Sequence, residues 1–227
     1  MLNRCSFRFL SAFALTSVIA SIGLAQDKKP ADKKDDKPAA AKPADKPADK
    51  GAKPAEPSPA DKAMMEEMEK AAAPGENHKL LEKMAGNWDC TVKMWMGPGE
   101  PDVSKGTSKG KLILGGRFVM DEYEGTFMGK PFAGHGLTGY DNQKGKFVGS
   151  WADTAGTGIM NSVGTYDAAS KSFTFIAEMT DPTAPDKTVK MKEVIKLVDD
   201  NTHVFEMWED QDGKPAKVME ITYSRKK

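Results

Sequence analysis

The stretch Leu80-Leu81-Glu82-Lys83-Met84-Ala85-Gly86-Asn87-Trp88-Asp89-Cys90-Thr91-Val92-Lys93-Met94-Trp95-Met96 changes its hydrophobic period once, at Gly86. Before that point Leu80, Leu81 and Met84 recur at helical spacing, and glycine is the residue that commonly ends a helical turn. Beyond it Trp88, Cys90, Val92, Met94 and Met96 occupy every second position. Asp89, Thr91 and Lys93 fall between them, so the segment reads as a strand with one buried face. A helical turn passing through Gly86-Asn87-Trp88 into such a strand is read here as the first stave of a closed β-barrel.

Gly97-Pro98-Gly99-Glu100-Pro101 follows, which no strand traverses. From there the chain becomes short alternating segments separated by turn residues. Strands are expected near 107–114, 117–127, 130–140, 145–153, 158–166, 171–180, 188–198, 203–209 and 215–225, about ten with the first stave. Asp181-Pro182, Asp199-Asp200-Asn201 and Asp212-Gly213 supply turn chemistry between them. Tyr140-Asp141 leads to Phe147, and Tyr166-Asp167 leads to Phe173 at the same spacing, as consecutive hairpins of one meander would. Phe173, Phe175, Ala177 and Met179 alternate with Ser172, Thr174, Glu178 and Thr180; Val189, Met191, Ile195 and Leu197 share one parity, with Lys190, Lys192 and Lys196 on the other. Half-apolar strands with almost no helix between them close most readily into an up-and-down barrel. A two-sheet sandwich is the alternative, and it lacks its Cys–Trp–Cys signature here. The expected fold is therefore all-β, an antiparallel barrel of about ten strands over residues 74–227, with short helices before it.

Arg4 and Arg8 precede an apolar run from Phe9 to Ala25, too short and too early for a stable membrane span, that ends in Gly23-Leu24-Ala25. Residues 1–25 are read as a signal peptide, which makes the protein exported, periplasmic or secreted, with no transmembrane segment in the mature chain. Its removal takes Cys5 and leaves Cys90 alone, so no internal disulfide is available. On the apolar face of its strand Cys90 reads as a small buried hydrophobe. Residues 26–57 are dominated by Lys, Ala, Pro and Asp, with KPADK echoed, and hold nothing to bury. Such a segment cannot offset its ordering entropy and is read as a disordered linker, free to contact the cell envelope. Ser58-Pro59-Ala60-Asp61 then opens a helix over 58–73 with a serine cap, a first-turn proline and an acid three residues on. Asn77 is the expected cap of the next turn. The 33 basic and 33 acidic residues balance, and no basic stripe stands out, which excludes a nucleic-acid surface and a basic membrane-binding face.

The segments LGGRFVMDEYEG (114–125), MGKPFAGHGLTGYD (128–141), WADTAGTG (151–158), EMTDP (178–182) and VFEMWEDQDGKPAKVMEITYSRK (204–226) resemble the bacterial domain-of-unknown-function family 1579, over nearly all of the expected barrel. The resemblance implies a calycin-type barrel, related in shape to lipocalins and fatty-acid-binding proteins, and brings no catalytic residues. Lipocalin-like barrels commonly cover the first-strand tryptophan with an arginine from the end of the last strand. Trp88 and Arg225 stand in those places, and the resemblance implies that they close one end of the barrel.

Polar residues that interrupt an apolar inward face are where a barrel reads its ligand. Glu193 stands between Met191 and Ile195; Glu122 continues the parity of Phe118 and Met120; Glu206 shares a face with Val204 and Trp208; His135 lies among glycines. Converging, these four would form a polar patch inside a methionine-rich cavity. His78, His135 and His203 are far apart, with His203 in a turn, and no spacing suits a metal. No cofactor is expected, and no G-x-S-x-G elbow or serine beside an evident base suggests nucleophilic catalysis. The functional expectation is a binding module for a small apolar or amphipathic ligand. The alternative is a filled barrel acting through its outer surface as an envelope protein, and the third reading is an enzyme using interior carboxylates.

Overall fold

The structure, a computed structural model, describes residues 56–181, 184–211 and 213–227. The expected signal peptide, the linker up to residue 55, and Pro182 and Asp212 of two expected turns lie outside the described residues.

Helix α1 (Pro59–Ala72) begins as its sequence dictates. The Asp61 amide donates to Ser58 Oγ at 3.2 Å, while the Asp61 carboxylate accepts from the Ser58 hydroxyl and amide at 2.7 and 3.0 Å. These reciprocal bonds satisfy amides that have no partner inside a helix. Met64, Met65 and Met68 on this helix are exposed. Helix α2 (Glu76–Lys79) runs into a 3-10 turn at Leu80–Lys83. Its cap comes from His78, whose Nδ1 accepts the Gly75 amide at 3.0 Å, and not from Asn77. No described helix is long and apolar enough to cross a membrane.

Ten strands follow: β1 (Gly86–Met94), β2 (Asp102–Ile113), β3 (Phe118–Phe127), β4 (Lys130–Asp141), β5 (Lys146–Asp153), β6 (Met160–Asp167), β7 (Ser172–Asp181), β8 (Ala184–Asp199), β9 (Thr202–Gln211) and β10 (Lys214–Arg225). Each pairs antiparallel with its neighbours in sequence, and β10 closes on β1, with Trp88 opposite Arg225 and Cys90 opposite Tyr223. The expected antiparallel barrel is thus the observed one, and closure removes every exposed strand edge. Met128 and Gly129, with φ of 49° and 73°, make the two-residue turn between β3 and β4 that the right-handed twist of the strands favours.

One end is plugged. Leu81 of the 3-10 turn is fully buried against Val119, Phe147, Phe173 and Phe175, with Leu80 and Met84 beside it. Phe147 and Phe173 meet edge to face at 4.9 Å. Trp88 Nε1 donates to the Met84 carbonyl at 3.1 Å. The Arg225 guanidinium lies 4.1 Å from the Trp88 ring centroid and donates to the Ala85 and Asp200 carbonyls, each at 3.0 Å. Gly86 makes this closure possible: its φ is 135°, and a Cβ there would sit 2.1 Å from Arg225 Nη1.

Candidate functional site

The registers carry the inward parity of Trp88, Cys90 and Val92 around the barrel, stave by stave. On β2 and β3 it falls on Ser108, Gly110, Asp121 and Tyr123; on β4 and β5 on Gly134, Gly136, Trp151 and Asp153. On β6 through β8 it falls on Ser162, Phe175, Ala177, Met191 and Glu193, and on β9 and β10 on His203, Phe205, Met207, Glu209, Ile221 and Tyr223. Several of these mid-strand residues are only half-buried: Asp121, Trp151, Ser162, Phe205, Ile221 and Tyr223. A filled core would leave such side chains almost no accessible surface, so open space remains inside the barrel.

The wall of that space is made of unlike parts. Across β7, β8 and β9, Ala177, Met191 and Met207 are buried together, with Met160, Met179 and Met219 packed against them. Methionine is unbranched and polarizable, so such a wall adapts to an irregular apolar shape. Glu193 interrupts it. The residue is 7% exposed and pairs across the strands with Phe175 and Met207, and its carboxyl takes a hydrogen bond from the Ser162 hydroxyl. Burial in these surroundings pushes its pKa up to about 7, and the Ser162 bond only partly opposes that. Gly149 leaves room for the serine, since a Cβ there would lie 2.7 Å from Ser162 Oγ.

Asp121 stands on β3, five staves from β8 in either direction around the barrel. It accepts a short hydrogen bond from Ser108, and burial raises its pKa. Beside it Cys90, Tyr123 and Tyr223 share one wall. Burial raises the thiol and the Tyr123 phenol each to about 12 and the Tyr223 phenol well above its ordinary range, so all three are neutral at physiological pH. No hydrogen bond reaches either tyrosine hydroxyl from the described residues. His203 stacks on Tyr223 at 4.2 Å and meets the Trp88 edge at 4.5 Å. It is 6% exposed, Nδ1 has no partner among the described residues, and burial with the nearby Arg225 charge lowers its pKa to about 4. Trp151, held by a 2.7 Å bond from Nε1 to Asp153, lies in the gap left by two glycines: a Cβ on Gly134 would come within 2.2 Å of its ring.

Of the four residues expected to converge, the structure turns only Glu193 inward. Glu122 and His135 are cross-strand neighbours on the outer wall and both are exposed, because Val119, Asp121 and Tyr123 take the inward parity of β3, while Gly134 and Gly136 take that of β4. Glu206 also faces out. It accepts from Trp208 Nε1 at 3.1 Å and from Lys217 at 3.0 Å, in a surface network that continues through Glu220 to Lys93. His203, expected in a turn, is instead the second residue of β9 and buried. The interior residues that sequence reasoning missed are Asp121, Ser162, His203 and Tyr223. One signal was available for β4: Phe132 and Tyr140 share the parity of the glycines, not of His135. Among the described residues no group of three or more His, Cys, Asp or Glu is placed to hold a metal ion.

The model of the family described as "Protein of unknown function (DUF1579)" matches residues 73–225, the helical plug and the whole barrel. The chain belongs to this family. No curated protein matches it. Among solved structures, this DUF1579 barrel is similar to the crystal structure of Rv2717c from M. tuberculosis, with a TM-score of 0.50 and 14% identity over 68% of this chain and 100% of that one. At that identity the likeness concerns the fold alone. A redesigned beta barrel also aligns, at 15% identity over 69% of this chain and 100% of its own, with a TM-score of 0.34.

Proposed function

We propose that this DUF1579 protein is an exported binding module that holds a small amphipathic molecule inside its barrel. The observation that carries this reading is the composition of the accessible interior: a methionine-rich wall interrupted by Glu193 faces a wall where the hydroxyls of Tyr123 and Tyr223 receive no hydrogen bond from the described residues. A few polar groups set in a mostly apolar interior are what orients a small bound molecule, and donors and acceptors on such a molecule find partners at these hydroxyls. The export part of the reading rests on Arg4, Arg8 and the apolar run Phe9 to Ala25. Native mass spectrometry of the protein from its own host tests the whole proposal. A reproducible bound species of low mass on a chain that begins near Gln26 supports it. An uncleaved chain refutes export, and an empty barrel that takes up no amphiphile refutes binding.

A second reading, action through the outer surface, draws on one feature. Val148, Val163 and Ile176 are paired across β5, β6 and β7 on the outer wall, and the last two are 49% and 47% exposed.

A further inference from the structure

We infer that the barrel interior selects a cationic amphiphile, a protonated amine on an apolar body, and rejects a carboxylate of the same shape. This rests on the binding reading above and names its ligand class.

The charge of the interior is one-sided. Between the two ends, the inward positions carry Asp121, Asp153, Glu193 and Glu209, and no lysine. Lys130, Lys187 and Lys214 reach that parity only at the mouth, where each is exposed. Arg225 is held at the closed end by the Trp88 face and two carbonyls, and His203 is neutral. Glu193 therefore has Ser162 as its hydrogen-bond partner and no countercharge among the described residues, and Asp121 on the opposite stave has Ser108. An ionised carboxylate held away from water without a cation is costly. An incoming ammonium supplies the missing charge together with short charge-assisted hydrogen bonds. A fatty acid would bring a further anion and meet repulsion instead.

A separate observation points to a ligand at the same interior. His203, on the inward face of β9, is 6% exposed, and its Nδ1 has no hydrogen-bond partner among the described residues. Buried polar groups normally find partners. An amine-bearing molecule that also carries a hydroxyl or carbonyl uses the Tyr223 hydroxyl beside this imidazole, while its apolar body lies along Met191 and Met207.

The same arrangement makes binding pH-dependent. The groups packed around Glu193 are Phe175 on β7, Ser162 on β6 and Met207 on β9; the titratable residues on those inward faces are Tyr166 on β6 and His203 and Glu209 on β9. With its carboxyl near pH 7, Glu193 is largely protonated in mild acid and has to release that proton to hold an ammonium. Amine affinity rises with pH through neutrality.

The test compares three probes of one chain length, dodecylamine, dodecanoate and 1-dodecanol, by calorimetric titration of the full chain at pH 7.5. Dodecylamine is expected to bind at least about tenfold more tightly than dodecanoate. Glu193→Gln should lower amine affinity by about tenfold, with a smaller effect on the alcohol, and it should abolish the loss of amine affinity between pH 8 and pH 5.5. Asp121→Asn provides an independent reading if the first variant does not fold. Equal or tighter binding of dodecanoate, with the alcohol also bound, overturns the charge selection and leaves the binding reading standing. Failure of all three probes to bind overturns both.

Discussion

Replacing Glu193 by glutamine should make the protein more stable at alkaline pH, and the size of the gain follows from its surroundings. In the unfolded chain this carboxyl titrates at its ordinary 4.5; in the folded barrel burial holds it near 7. Between those values the folded state keeps a proton that the unfolded state has released, so stability falls as pH rises through the window and levels off above it. At about 1.4 kcal/mol per pH unit the loss amounts to about 3 kcal/mol by pH 8. His203 runs the other way. Its pKa drops from 6.5 to about 4 on burial, so the unfolded chain gains a proton first and stability is lost as pH falls from 6.5 toward 4. Where the windows overlap the two trends oppose one another, and the wild-type profile is flattened there. Glu193→Gln removes one of them. Urea denaturation followed by tryptophan fluorescence, at half-unit steps from pH 4 to pH 8.5, should give coincident stabilities at the acid end. The difference should open above pH 4.5 and reach about 3 kcal/mol at pH 8. Other carboxylates whose pKa shifts on folding, such as Asp141, Asp167 and Asp200, are shared by both proteins and cancel in the difference. Parallel profiles across the whole range would refute the reasoning, since they would mean that the carboxyl titrates alike folded and unfolded.

Two further substitutions probe the frame around the interior. Arg225→Ala removes a guanidinium stacked on Trp88 and two hydrogen bonds to carbonyls, and should cost about 2–4 kcal/mol in urea denaturation; Arg225→Lys, which keeps the charge without the planar fork, should recover only part of that loss. Gly134→Ala places a methyl 2.2 Å from the Trp151 ring, so the indole has to move, with a shift in its fluorescence and a cost of about 1–3 kcal/mol. Gly75→Ala, where a Cβ meets nothing within 4 Å, is the matched control and should leave the fluorescence unchanged.

The closed end of the barrel was the most legible part of the molecule. Gly86 ends a short helical turn, and Trp88, Cys90 and Val92 then alternate without a competing apolar residue on the other parity until Trp95. One face is available to bury, and the structure buries it. Strands β7 and β8 read as cleanly, which is why Glu193 was placed inside. The other candidates failed where both parities of a strand are partly apolar. In β3, Phe118 and Met120 compete with Val119 and Tyr123; in β9, Val204 and Trp208 compete with Phe205 and Met207. A slip of one residue exchanges the two faces of a strand, and local pattern alone cannot arbitrate between near-equal faces. The neighbouring staves arbitrate. Tyr123 is inward because Gly106 and Gly125 leave space for its ring, a Cβ on either falling within 2.5 Å of the phenol oxygen. Trp151 is likewise admitted by Gly134.

Those glycine-and-ring pairs also bear on how the interior works. An aromatic laid over an inward glycine of the adjacent stave fills volume close to the wall and leaves the axis open, whereas a branched side chain at the glycine position would extend toward the centre. The barrel therefore keeps Tyr123 and Trp151 as broad apolar surface on the β3–β5 side. On the far side it places Glu193, the one deeply buried carboxyl among the described residues, amid thioethers. A carboxyl there lowers stability at neutral pH, and a glutamine of nearly the same volume would keep a hydrogen bond to Ser162 without that cost. Stability does not explain the choice of glutamate at this position, which is the physical reason for the proposal that Glu193 serves a ligand and not the fold.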